Sequence, residues 1–113
     1  WNDPHRDIAR ARAVWPDLLL VAAHGDRIVG AVMAGYDGHR GGLYYLASDP
    51  DRRGEGIGRM LVAEAERRLE ALGCPKVMLM VREGNDAVAD FYDTLGYARD
   101  ATSVLGKRLI PDD

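Results

Sequence analysis

The 113-residue chain holds a single cysteine, Cys74, so no disulfide can form within it. That usage suits a reducing, cytoplasmic setting over a secreted one. No Cys/His cluster has the spacing of a zinc site. No apolar run approaches the roughly 18 residues that a membrane-crossing helix needs, and no segment reads as a signal peptide. An excess of positive charge is lacking too. Fifteen Lys and Arg stand against 18 Asp and Glu, a net charge of −3. That balance argues against a dedicated nucleic-acid binder, whose phosphate contacts need a basic face. Internal repeats, low-complexity tracts and Ser/Gly linkers are absent. What is present is 47% hydrophobic residues in a length that allows one modest core. One continuous domain over residues 1–113 is expected.

Punctuation by proline and glycine divides the chain. A helix is expected near residues 7–14, with Ile8, Ala11 and Val14 on one side, and Pro16 stops it. Residues 18–23 and 28–35 read as strands joined by the turn His24-Gly25-Asp26, a β-hairpin. The polar, glycine-rich stretch 36–42 is a loop, and 43–48 a third strand. Residues 57–72 form the clearest helix: Ile57, Met60, Leu61, Ala65, Leu69 and Leu72 follow the 3.6-residue period, and Gly73 supplies the stop. A compact strand follows at 76–81, then a loop with a capping-type Asn85, a helix at 87–95 ended by Gly96, and a last strand at 103–109. Strand 43–48, its helix and strand 76–81 make a right-handed βαβ crossover. A mixed sheet with helices on its faces is the expected α/β (α+β) architecture.

The segment Arg52-Arg53-Gly54-Glu55-Gly56-Ile57-Gly58-Arg59 joins a strand to a helix. Alternate glycines let the backbone approach a ligand and aim successive N–H groups one way. The first helical turn adds orphan N–H groups and the positive end of the helix dipole, which suit a pyrophosphate. Arg52, Arg53 and Arg59 add local positive charge to an acidic protein. A nucleotide P-loop needs Gly-Lys-Ser/Thr where the chain has Gly58-Arg59-Met60. A dinucleotide fingerprint needs glycine where Arg59 stands. A plain tight turn packed with glycines is the competing structural reading.

These residues carry a resemblance to the GNAT superfamily of acetyl-CoA-dependent N-acetyltransferases. Its pattern, Gln/Arg-x-x-Gly-x-Gly/Ala at the start of a helix, is met by Arg53-Gly54-Glu55-Gly56-Ile57-Gly58. A second pattern, of the RimI-like branch, is met by Asn85, Tyr92 and Gly96-Tyr97 in register. The wording around residues 35–41, 73–76 and 105–109 is similar to YpeA-type bacterial acetyltransferases. The resemblance implies a central parallel strand pair splayed to admit the cofactor. It implies that the N–H groups of Gly54, Glu55, Gly56, Ile57, Gly58 and Arg59 hold the pyrophosphate of coenzyme A, with Arg52 and Arg53 nearby. The pantetheine arm would pair with the strand at Leu46, Ala47 and Ser48. An N–H of Leu46 or Ala47 would face the thioester oxygen, Asn85 would bond the arm, and Tyr92 would protonate the departing thiolate.

The implied reaction is direct transfer of acetyl to a primary amine on a small molecule, a peptide N-terminus or a lysine. A non-catalytic acyl-CoA-binding or sensor module is the alternative. Tyr92 also reads as a core aromatic, and Asn85 as a plain helix cap. Cys74 lies at the far end of the βαβ unit and reads as a small buried residue, not a nucleophile. Tyr44 and Tyr45, adjacent on one strand, are expected on opposite faces. Glu83, His39, Asp37 and Asp49 are candidates for the general base. The family opens with a strand and a helix before the segment that begins here at Trp1. A native chain longer by about 25–35 residues is therefore expected. An exposed sheet edge leaves room for a homodimer.

Overall fold

A computed structural model gives the structure of residues 4–111. Helix α1 (Pro4–Val14) opens on a proline, whose missing N–H is not needed in a first turn. A single 3₁₀ turn, Pro16–Leu18, buries Leu18 and leads into β1 (Leu19–His24). Strand β2 (Arg27–Tyr36) returns antiparallel to β1, and β3 (Gly41–Ser48) runs antiparallel to β2. Helix α2 (Ile57–Ala71) then crosses over to β4 (Val77–Met78), which lies parallel to β3. The sheet order is β1-β2-β3-β4. The hairpin, the parallel pairing of the two strands that α2 connects and the mixed sheet stand as the sequence predicts.

These elements form one compact unit, Pro4–Met80; the chain from Val81 onward forms a second. In the first, α2 lies across β1, β2 and β3 and buries Ile57, Leu61, Val62, Ala65 and Leu69. Each of these but the smaller Ala65 contributes about 2 kcal/mol of burial. Val32, Ala34 and Leu43 face it from the sheet and are buried too. The approach is closest at Gly30 of β2. A Cβ there would lie 2.7 Å from Ile57 Cγ2, 3.0 Å from Leu61 Cδ1 and 3.1 Å from the Ala47 carbonyl oxygen. On the opposite face Gly35 turns toward the Trp15 ring at the end of α1. That second face is covered only in part, with Val21 and Tyr44 left exposed.

Two bulges shape it. Between β1 and β2 the register slips at Ala22/Ala23, leaving Val29 as the extra residue of β2. Consecutive Val29 and Gly30 are consequently both buried. Between β2 and β3 the pairs Ala31↔Ala47 and Met33↔Tyr44 enclose one residue of β2 and two of β3. The extra residue is accommodated at Tyr45, whose φ of 54° is left-handed. For a bulky L-residue that conformation costs about 1–2 kcal/mol.

Two expectations are corrected. Strand β4 spans two residues, not 76–81, because its ladder consists of Gly41↔Val77 and Gly42↔Met78 only. Past Gly42 the partner strand turns into its bulge, so Met80 is left exposed. Segment 103–109 is not a strand: it carries no ladder, and Val104, Leu105 and Leu109 are exposed. Gly106 interrupts it and two cations follow, a weak strand pattern. The parallel β3–β4 pair consequently forms an edge of the described sheet and not its centre.

The Gly30 contact yields a test. Gly30→Ala should lower stability in urea unfolding by about 1–3 kcal/mol, since the added methyl meets a backbone carbonyl as well as side chains. Wild-type stability in that variant would contradict the packing described.

Candidate functional site

The end of β3, the glycine turn and the start of α2 are one continuous structure. Asp49 anchors its beginning: its N–H donates to the Val29 carbonyl at 2.8 Å, and its carboxylate accepts from the Asp51 N–H at 3.0 Å. The carboxylate also pairs with Arg27 at 3.0 Å. A 3₁₀ turn, Pro50–Arg52, follows, and Gly54 and Gly56 then take left-handed φ of 87° and 77°. A Cβ at either glycine would meet open space, so it is the backbone angle that calls for glycine there.

Gly56 is the N-cap of α2, and no side chain caps the helix. The ladder begins with the Met60 N–H donating to the Gly56 carbonyl at 3.0 Å. The N–H groups of Ile57, Gly58 and Arg59 lie ahead of any helical acceptor. They point outward at the positive end of the helix dipole, an arrangement that accepts a phosphate group. Arg53 and Arg59 are exposed beside them. Arg52 leans back to Glu55 at 3.3 Å, so part of its charge is spent inside the turn. Ala47 and Ile57 both crowd Gly30, which brings Leu46, Ala47 and Ser48 next to the helix start. Gly30 is the site residue that sequence reasoning missed. A glycine interrupting an apolar strand was its available signal.

The ladder from β4 stops at Met78, so along 43–48 strand β3 is paired with β2 alone among the described strands. The two tyrosines of this stretch correct an expectation. Tyr44 shares its face with Gly42 and lies over it, a Gly42 Cβ falling 2.7 Å from the Tyr44 hydroxyl. That is the face toward α1, because Gly42 pairs with Gly35. The bulge removes the alternation at the next residue, and the Tyr45 hydroxyl donates to the Asp7 carboxylate of α1. Both rings remain about half exposed.

The base candidates separate. Asp37 accepts from the His39 and Arg40 N–H groups at 2.7 Å each. The Arg40 N–H first, then that of His39, holds its carboxyl below the usual range, which makes it a poor base. Asp37 and His39 also lie at the Gly41 end of β3, on the order of 20 Å of strand from the glycine turn. Asp49 is occupied as cap and ion pair. Glu83 is exposed in the second unit. Cys74 donates to the Lys76 carbonyl at 3.3 Å and would touch a Gly41 Cβ at 2.8 Å, at the end of β3 remote from the turn.

In the second unit, α3 (Asp86–Asp93) is capped by Asn85, whose side chain accepts from the Val88 N–H at 3.4 Å. The helix is shorter than the expected 87–95 at its end, where Gly96 (φ 92°) reverses the chain. The Tyr97 N–H then donates to the Tyr92 carbonyl at 3.1 Å. Tyr92 is buried in edge-on contact with Phe91 and Tyr97, centroids 5.0 and 5.4 Å away. Burial pushes its phenol up from the ordinary tyrosine value. It therefore carries its proton throughout the neutral range.

A model of the "Acetyltransferase (GNAT) family" matches residues 1–97. The chain belongs to the GNAT acetyltransferase family. It is an enzyme of acyl transfer. An acetyltransferase of Pectobacterium atrosepticum is 54% identical over 112 residues, 99% of this chain and 79% of that protein. Among solved structures, Chaetomium thermophilum Naa20 in complex with a bisubstrate analogue superposes with a TM-score of 0.73 at 26% identity. The match covers 81% of this chain and 56% of that one. The NatC complex bound to Gag peptide and CoA superposes with a TM-score of 0.78 at 25% identity, over 84% of this chain and 66% of the other. No helix among the described residues of this family member is long and apolar enough to cross a membrane.

An alkaline titration checks Tyr92. The raised value means the neutral phenol is favoured in the folded protein. Its contribution to stability is thus complete below about pH 10 and lost as pH rises through the folded value. In ultraviolet absorbance, the wild-type minus Tyr92→Phe curve should have its midpoint above the ordinary tyrosine value of about 10. A midpoint at or below that value would contradict the burial.

Proposed function

We propose that the chain transfers an acetyl group from acetyl-CoA to a primary amine, by direct attack within a ternary complex. One observation carries the reading: the uncapped N-terminus of α2, presented by two left-handed glycines directly after β3. Its charge, its free N–H groups and its exposed arginines fit a pyrophosphate. The CoA named with a structural neighbour supports the same assignment.

Acetyl-CoA supplies the acetyl group as an already activated thioester. The protein's tasks are then to hold, orient and move protons. Backbone N–H groups of residues 54–59 hold the pyrophosphate, with Arg53 and Arg59 beside them and Arg52 bracing the turn. The edge of β3 at Leu46, Ala47 and Ser48 aligns the pantetheine arm. An N–H of Leu46 or Ala47 donates to the carbonyl oxygen as negative charge develops there. As the C–N bond forms and the C–S bond breaks, Tyr92, neutral at physiological pH, gives its proton to the departing sulfur; the proton lost by the amine passes through solvent water and restores the phenol, while Asn85 bonds the arm and caps α3. The acceptor is a small amine, a peptide N-terminus or a lysine. Residues 1–113 act in this reading as one acetyltransferase domain, in the reducing cytoplasm that a lone thiol suits.

Two outcomes follow. Coenzyme A and acetyl-CoA should each raise the melting temperature by several degrees near 100 Kd, equivalent to about 2.7 kcal/mol. Gly56→Ala should weaken both about tenfold, and an absent thermal response would sink the reading. Tyr92→Phe should lower kcat about a hundredfold with little change in the KM for acetyl-CoA. Unchanged turnover would remove Tyr92 from the chemistry.

A further inference from the structure

Tyr45 holds a backbone angle that bulky residues rarely adopt, in the middle of a strand. Extended geometry would be the relaxed alternative, and it would delete the bulge. Deleting it would slip residues 46–48 by one position against β2 and turn each to the other face. On its other side this part of β3 pairs with no described strand, since the β4 ladder ends at Met78. A contact from outside the sheet meets the bulge.

The contact that does so comes from 38 residues earlier in the chain. The Tyr45 hydroxyl donates to the Asp7 carboxylate on α1. Asp7 is largely shielded, its side chain 21% exposed, and Arg10 one turn further along α1 approaches the same carboxylate at 3.5 Å. Helix α1 is itself fixed at its end. The Trp15 N–H donates to the Ala11 carbonyl, and the Trp15 ring packs 6.5 Å from Tyr36 and against Gly35. Asp7 thus offers a carboxylate acceptor on an element that the Trp15 ring holds against β2.

We propose that Asp7 is a positioning residue for acyl transfer: through the Tyr45 hydroxyl it locks the β3 bulge and so aims the N–H groups of Leu46 and Ala47. The proposal rests on the reading of β3 as the strand that faces the acyl group. It assigns no contact between Asp7 and either substrate. An acceptor-capable side chain at position 7 should suffice, because the hydroxyl needs an oxygen to donate to.

Hydrogen exchange and calorimetry on the whole chain test this. In Asp7→Ala and in Tyr45→Phe, amides of segment 43–48 should exchange at least tenfold faster than in wild type. Segment 61–69 of α2 should keep its rate. The double variant should be no faster than either single one. Asp7→Asn, whose amide oxygen still accepts, should stay within about threefold of wild type. Acetyl-CoA should bind about fivefold more weakly to Asp7→Ala and Tyr45→Phe, and within twofold to Asp7→Asn. Wild-type exchange over 43–48 would overturn the proposal. So would equal acceleration of 61–69, or an Asp7→Asn variant as fast as Asp7→Ala. Wild-type protein that binds no acetyl-CoA would overturn the proposed function instead, and the exchange rates alone would then decide the tether.

Discussion

At Gly30 there is room for a hydrogen atom and nothing larger, and the arrangement of the first unit depends on that restriction. Ile57, Leu61 and the Ala47 carbonyl converge on it. The first turn of α2 can therefore settle directly on the sheet, next to the end of β3. A side chain at position 30 would lift the helix start away from the strand, and the outward N–H groups would no longer sit beside Leu46–Ser48. The left-handed glycines 54 and 56 complete the geometry by turning the chain sharply enough to start a helix there without a side-chain cap. In the proposed reading this backbone geometry is how a protein with net charge −3 can offer a polyanion a place.

The same sheet shows how a strand edge is kept available. Strands β3 and β4 begin in parallel register at Gly41 and Gly42, where the Gly41 N–H also reaches the Lys76 carbonyl at 2.9 Å. Their ladder ends there, and three residues on, Tyr45 bends β3 out of regular pairing. A regular strand would have continued the ladder and used up its own N–H and C=O groups. The bulge instead interrupts the pairing, at a local conformational cost that the contact with α1 offsets.

Much of this was legible in the residues. The period of Ile57, Leu61, Ala65 and Leu69 predicts a helix over 57–72, and α2 runs Ile57–Ala71. Alternate glycines after a strand mark the turn, and Asn85 caps α3 as its type predicts. The illegible parts are those set by tertiary contact. Nothing in a Tyr-Tyr pair announces a left-handed residue, because its cause, a hydrogen bond to Asp7, spans 38 positions. Gly30 reads as a weak point in a strand until the helix above it is known. Strand 76–81 has the composition of a full strand, yet its length is set by where its partner bends. Segment 103–109 has apolar residues at strand-like positions, yet it pairs with none of the described strands.

Acyl transfer from a thioester requires few side chains, and in the proposed reading the backbone of the glycine turn and of the bulged strand β3 carries most of the cofactor contacts. The central claim is that coenzyme A lies along β3 with its pyrophosphate on the α2 N-terminus. Amide chemical-shift mapping during a coenzyme A titration tests it most directly. The account predicts the largest shifts at Gly54, Gly56, Ile57, Gly58 and Arg59, with a second set at Leu46, Ala47 and Ser48. Shifts confined to other segments, or none at saturating coenzyme A, would contradict it.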